Sequence, residues 1–265
     1  MNSCCICGAV KDCAQYLERV LQNMEEIGSI FDEYVIILCY DDSKDTTLKL
    51  LTDYVEKNSR FRLLINTTPI QNKGITHQNA HARNHCLKHI KTYFTDYQYF
   101  IMMDCDDVCA LPVNIDVLKN NLKRSDWDGL SFNTTRPYYG LWALSMKHLV
   151  YSVWHFSQPN AHQIYKDAIQ HLFRNCPSGE LIPVYSVFNG FAIYRTHKFI
   201  NSFYDGNSRL DFIPPFLLEE NIRVCGEITP YYWGGPDQDC EHRSFHLYAI
   251  FQNDAIVAIS PEILF

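Results

Sequence analysis

Residues 101–107, Ile-Met-Met-Asp-Cys-Asp-Asp, form an apolar run that stops abruptly at three carboxylates, Asp104, Asp106 and Asp107. Like charges crowded at the end of a buried strand are costly unless a cation compensates them, and carboxylate oxygens are donors that suit Mg2+ or Mn2+. The pattern therefore points to a divalent metal bridging to a diphosphate. Two other readings fit the same residues. One is an acidic loop in solvent. The other is the nucleophile motif of haloacid-dehalogenase-like phosphatases, in which Asp104 would attack a phosphoryl group. That scheme expects its motif on the first strand, with a Gly-Asp pair further on; here it falls on the fourth, and no Gly-Asp dipeptide follows.

Other residue types with chemical potential are less persuasive. His77, His81, His85 and His89 are spaced by four. Each step of four advances about 400° on a helix, so the set drifts by roughly 120° and cannot face one ion. Cys4-x-x-Cys7 lacks a second pair at zinc spacing.

The elements that must position the acids follow from alternation of short apolar runs with amphipathic segments. Cys4–Cys7 is a first strand; Val10, Ala14, Leu17, Leu21 and Met24 then recur at helical spacing, with a turn near Gly28. Tyr34–Cys39 is apolar throughout, as a parallel strand covered on both faces would be. Asp45 or Thr46 can cap a helix whose core face is Leu48, Leu51 and Val55. Phe61–Ile65 is a third strand, and a helix through Ala82, Cys86, Leu87, Ile90 and Phe94 leads to a fourth, Tyr97–Met103. Alternating strands and helices imply an α/β fold with a mostly parallel sheet, whose ligands bind beyond the carboxyl ends of the strands. Asp41 and Asp42 close the second strand there, as Asp104, Asp106 and Asp107 close the fourth. Beyond residue 130 the pattern loosens into Pro-, Tyr- and Gly-rich stretches, predicted to shape the substrate site on the same sheet.

Composition bounds what such a site can serve. The 265 residues are 47% hydrophobic and 20% charged, which suits one folded body. With 23 Lys and Arg against 30 Asp and Glu, a net charge of −7, no basic footprint for a nucleic acid polymer is available. The eleven cysteines are odd in number and scattered through apolar runs, where thiols pack as small hydrophobes. A reducing compartment, the cytoplasm, is expected. No secretion signal or membrane span is visible, so the sequons at Asn66 and Asn133 read as chance matches.

Lys11-Asp12 after the first strand, Tyr40-Asp-Asp-Ser-Lys-Asp-Thr-Thr47 after the second, Ala82-Arg-Asn-His-Cys-Leu87 and Asp104-x-Asp106 together resemble the nucleotide-sugar half of GT-A glycosyltransferases. Three later stretches lie at Trp127–Asn133 with Tyr138–Leu144, at Phe188–Tyr194, and at Asp239–His246. They are similar to a subgroup that includes fungal capsule-associated and virus-encoded transferases. The resemblance implies one GT-A domain over 1–265, with a nucleotide-sugar half to about residue 110 and an acceptor half beyond. It implies Mn2+ or Mg2+, a nucleoside diphosphate sugar donor, and a glycan or glycoside acceptor; in a virus-encoded protein the compartment would be the host cytoplasm.

Residue by residue, the resemblance puts Asp41 near the donor's nucleoside, and Arg83 and Asn84 near its phosphates or sugar. Asp104 stands as the ribose or outer-sphere acid, Asp106 as the direct metal ligand, and Asp107 as a contact to the donor sugar or the metal, or a helix cap. In many inverting members an acidic pair late in the chain supplies the base that deprotonates the acceptor. Here the comparable pair reads Glu241-His242. Either residue takes the proton, or His242 completes the metal sphere, with Asp237 or Asp239 next in line. Asn189, Gly190, Tyr139, Trp142 and Trp233 are the expected acceptor or sugar contacts, the aromatics by stacking or by packing. A non-catalytic sugar-binding relative is the rival class; a nucleotidyltransferase usually carries a Gly-rich loop after strand 1, where only Gly8 stands.

Overall fold

A computed structural model describes residues 2–68, 74–229 and 238–265. The first strand, β1 (Ser3–Val10), is buried almost end to end and pairs in parallel with β2 (Glu33–Tyr40) and β4 (Tyr99–Met103); β2 pairs in turn with β3 (Phe61–Ile65). Helices α1 (Ala14–Gly28), α2 (Thr47–Val55) and α3 (Ile75–Tyr93) make the crossovers. Cys4 and Ile6 face one layer of core with Leu17, Leu21 and Met24 of α1, and Cys5 and Cys7 face the other with Cys86 and Ile90 of α3. That two-sided burial explains why these strands are apolar without alternation.

Several details of the expected pattern differ, among them the fourth strand, which begins at Tyr99 rather than Tyr97, and α3, which ends at Tyr93 before Phe94. Val10 lies in β1 rather than in the helix that follows, since α1 begins only at Ala14. In α2 only Leu51 of the three expected core positions is buried; Leu48 and Val55 are exposed, because this nine-residue helix touches the body along a narrow stripe. The caps are supplied by Asp45, whose Oδ1 accepts from Thr47 N and whose Oδ2 accepts from Ala14 N, so one carboxylate serves the starts of both α2 and α1.

The second half extends the same sheet. After α4 (Ile115–Leu122) comes β5 (Gly129–Asn133), and after α5 (Ala161–Asn175) come the short β6 (Ile182–Pro183) and β7 (Phe191–Arg195). Then follow the single turn α6 (Thr196–Phe199), α7 (Pro215–Cys225), α8 (Glu241–Asn253) and β8 (Val257–Ile263). The sheet order is β3-β2-β1-β4-β7-β5-β8-β6. β7 runs antiparallel to both β4 and β5, and its start lies against the end of β4, where Asp104 N donates to Gly190 O at 2.8 Å. The sequence therefore returns some 85 residues later to flank the acidic strand. All eleven cysteines are unpaired and all but Cys176 are buried. Among the described residues no helix is long and apolar enough to cross a membrane.

Candidate active site

A cleft of about 360 Å3 opens beyond the carboxyl ends of β2, β1 and β4. Ala9, Val10, Lys11 and Asp12 line it from β1 and its loop, Asp41 from the end of β2, and Asp104, Cys105 and Asp106 from the end of β4. One face of α3 supplies the fourth wall with Ile75, Gln78, Asn79, Ala82 and Arg83. Four of the expected donor residues, Asp41, Arg83, Asp104 and Asp106, thus share one cavity.

The acids are held differently. Asp106 Oδ1 accepts from Val108 N at 3.0 Å and Cys109 N at 3.2 Å, which ties the carboxylate to the turn after β4; no helix starts there for Asp107 to cap. Burial nevertheless raises its pKa, with those two N–H groups pulling the other way. Asp104 Oδ1 accepts from Arg83 Nη2 at 2.7 Å. Burial pushes the Asp104 carboxyl up to about 7 against the pull of Arg83, with Asp106 and Glu241 adding to the rise. Two desolvated carboxylates with raised pKa values mark a place short of positive charge. Asp41 sits in a polar corner, paired with Lys11 Nζ at 3.4 Å and approached by Asn66 Nδ2 at 3.5 Å.

Other expected contacts are engaged within the protein. Asn84 points out of the cleft: its Nδ2 donates to Tyr204 O at 2.8 Å and its Oδ1 accepts from Tyr204 N at 2.9 Å, so the amide is spent on a loop. Asp107 stands at the surface, ion-paired with Arg136. Asn189 is buried and its Oδ1 accepts from Gly140 N at 3.1 Å, where it braces the 139–140 turn. Trp142 packs partly buried against the core, and its carbonyl accepts from Arg243 Nη2. Tyr139 is the exception. It is exposed, its hydroxyl lies over Gly190, and burial of that hydroxyl, with Asp104 and Asp106 near it, raises its pKa. Gly190 has φ +86°, and a Cβ there would stand 2.5 Å from Tyr139 Oη, so a glycine is required for the ring to approach the acids. Trp233 and Asp237 lie outside the described residues.

The late pair Glu241-His242 is buried and does not line the cleft. Glu241 accepts from Arg83 Nη1. Burial raises its pKa and Arg83 opposes that rise. His242 stacks on Phe188 with ring centroids 3.7 Å apart, 1% exposed, and burial first, then Arg83 and His246, hold its pKa well below the usual histidine value. The ring is stacked against Phe188 and is not part of the cleft lining. Among the described residues no group of three or more His, Cys, Asp or Glu side chains is gathered as a metal site. Asp239, the reserve candidate, caps Cys240 N at 2.7 Å and pairs with Arg243 Nε at 2.7 Å.

Sequence reasoning had no role for Gln78 or Asn79. The signal was present: Ile75, Gln78, Asn79, Ala82 and Arg83 follow the three-and-four spacing of one helical face, so fixing Arg83 on the cleft fixes its neighbours.

The parallel β3-β2-β1-β4 half, the acids at the ends of β2 and β4, and the antiparallel β7 beside β4 define the GT-A class of fold. The sequence pattern described as glycosyl transferase family 2 matches residues 5–179, and the chain belongs to that family. No curated protein sequence matches the chain. Among solved structures, S. aureus TarS 1-349 aligns over 100% of this chain and 59% of its own, with TM-score 0.52 and 14% identity. The same protein in complex with UDP aligns with TM-score 0.51, 14% identity and the same coverage, 100% and 59%. A mannosyltransferase, PcManGT from Pyrobaculum calidifontis in complex with GDP-Man and Mn2+, aligns at TM-score 0.48 and 14% identity over 76% of this chain and 47% of that one. The chain thus spans 59% of the TarS segment it matches.

Proposed function

We propose that the protein moves a sugar from a nucleoside diphosphate sugar to a hydroxyl of a glycan or glycoside, with Mn2+ or Mg2+ held by Asp106 and Asp104. The observation that carries this reading is the convergence of Asp41, Arg83, Asp104 and Asp106 in one cleft at the carboxyl ends of adjacent parallel strands. Membership of glycosyl transferase family 2 supports the donor class.

Charge matching supports the metal. A diphosphate brings at least two negative charges, yet both cations that line the cleft among the described residues are already matched, Lys11 by Asp41 and Arg83 by Asp104 and Glu241. The acids at the end of β4 offer hard oxygen donors whose burial leaves them undercompensated, which fits a divalent cation. When bound, the metal would neutralise the leaving diphosphate. The chain's own part is positional. Asp106 is oriented through Oδ1 by two backbone N–H groups, Asp104 is oriented by the Arg83 fork, Asp41 faces the nucleoside, and Tyr139 offers an exposed ring to the sugar or acceptor.

Thermal unfolding in the presence of a panel of nucleotide sugars, with and without Mn2+, tests the proposal. Ligand at about 100 times its dissociation constant adds roughly 2.7 kcal/mol. One donor is expected to stabilise the protein only when Mn2+ is present; a panel without effect would count against the function.

A further inference from the structure

We propose that Glu241 is a positioning residue that acts on the acids of the cleft through Arg83, and that it takes no proton from the acceptor. The inference rests on the metal-dependent donor site proposed above and assigns a part in it to a residue that the donor never touches.

The Arg83 guanidinium links three distant segments. Its Nη2 donates to Asp104 Oδ1 at 2.7 Å, its Nη1 donates to Glu241 Oε1, and it lies over the rings of Phe188 at 5.1 Å and Tyr204 at 6.0 Å. Arg83 and Glu241 are 4% exposed each, whereas the Asp104 side chain keeps 30% of its surface. The cation therefore has one buried anchor and one partner at the cleft. A planar fork held at both ends cannot rotate, so Glu241 sets where the other nitrogen meets Asp104. It also sets how much charge arrives. A guanidinium given wholly to Asp104 would cancel that carboxylate, but one shared with Glu241 leaves Asp104 anionic enough to help hold a divalent cation. Arg83 Nε has no partner among the described residues, so the two carboxylates carry the whole polar restraint on this side chain. Glu241 starts α8, whose first turn packs toward α3; α3 and α8 are in contact.

The test uses Glu241→Gln, Glu241→Ala, Arg83→Ala and the double variant, with Mn2+ alone as the probe in a calorimetric titration. Glu241→Gln keeps an oxygen for Nη1 but gives up the shared charge, and is expected to bind Mn2+ more weakly than the parent yet more tightly than Glu241→Ala. Glu241→Ala should weaken binding about ten-fold or more, and the double variant should be no weaker than Arg83→Ala. Wild-type Mn2+ affinity in Glu241→Ala, or losses that multiply in the double variant, would overturn the assignment. Should the alanine variant not fold, Glu241→Asp retracts the carboxylate by one methylene and is expected to weaken Mn2+ several-fold; an unchanged affinity overturns the proposal. A parent protein that takes up no Mn2+ refutes the metal reading instead. Metal-free unfolding then decides the Arg83–Glu241 clamp, with non-additive midpoints upholding it and additive ones refuting it.

Discussion

At the scale of single residues, Asp106 carries two duties that substitution can separate. Its Oδ1 satisfies the N–H groups of Val108 and Cys109, while its charge sits undercompensated at the cleft. Asp106→Asn keeps the turn hydrogen bonds and removes the charge, so the metal-free protein should be as stable as the parent or more so, while Mn2+-dependent binding of nucleoside diphosphate is lost. Asp106→Ala also gives up these turn hydrogen bonds, at a cost of about 1 kcal/mol. Urea unfolding with and without Mn2+ checks both; an Asn variant that binds with the parent's metal dependence would show that the acid is not a ligand. Gly190 makes a second residue-scale prediction. Its φ of +86° and the contact of a Cβ with Tyr139 Oη make Gly190→Ala cost about 1–3 kcal/mol and displace Tyr139 from the acids. A Tyr139→Phe background should recover part of the loss, because the clash is with the hydroxyl oxygen.

Among the elements, α8 is the least ordinary. From Glu241 to Leu247 every residue is buried, including two histidines, an arginine and a glutamate, so the helix has no polar face for sequence periodicity to reveal. Arg243 pairs with Asp239 just ahead of the helix and ties it to the 142–150 segment through the carbonyls of Trp142, Leu144 and Val150. Removing that side chain strands a buried Asp239, and Arg243→Ala should lose about 3–5 kcal/mol in denaturant unfolding. The histidines give α8 a pH signature. His246, bonded to Ser186 Oγ at 2.9 Å and Tyr194 Oη at 3.0 Å, has its pKa lowered to about 3, chiefly by burial with the Arg243 charge adding; His242 is lowered too. A depressed histidine contributes stability that is complete above its unfolded value near 6.5 and is lost as pH falls toward the folded value. Each should therefore take away up to about 1.4 kcal/mol per pH unit below roughly 6.5. His246→Gln should flatten this dependence in unfolding midpoints measured from pH 7 to pH 4; an unchanged slope would place the titration elsewhere. The contrast with the first half explains what was legible. β1, β2 and β4 announce themselves as apolar runs, β3 less so because Arg62 interrupts it, and the crossovers α1 to α3 are local. β7 could not be foreseen beside β4, since its pairing joins Phe100 to Tyr194 across more than ninety residues. Asp41, Asp104 and Asp106 were readable as strand-end acids, whereas the burial of Glu241 and the diversion of Asn84 to Tyr204 depend on contacts that no local pattern encodes.

Across the whole molecule, ten buried thiols sit in the core or under the cleft and only Cys176 is partly accessible. Alkylation after denaturation should find the eleven cysteines reduced, and in the native state Cys176 should react well ahead of the rest; most thiols recovered as disulfides would contradict the packing of β1 and β2. The same body carries the functional claim, because the acids owe their strain to burial in a sheet that the rest of the chain completes. The most direct measurement is anomalous diffraction from a crystal soaked with Mn2+ and the nucleoside diphosphate of a stabilising donor. The account predicts a manganese peak at bonding distance from the Asp106 carboxylate, on the cleft side of Asp104, with the diphosphate against it. A peak held elsewhere, as on the histidines of α3, or a diphosphate bound in that cleft without metal, would contradict it.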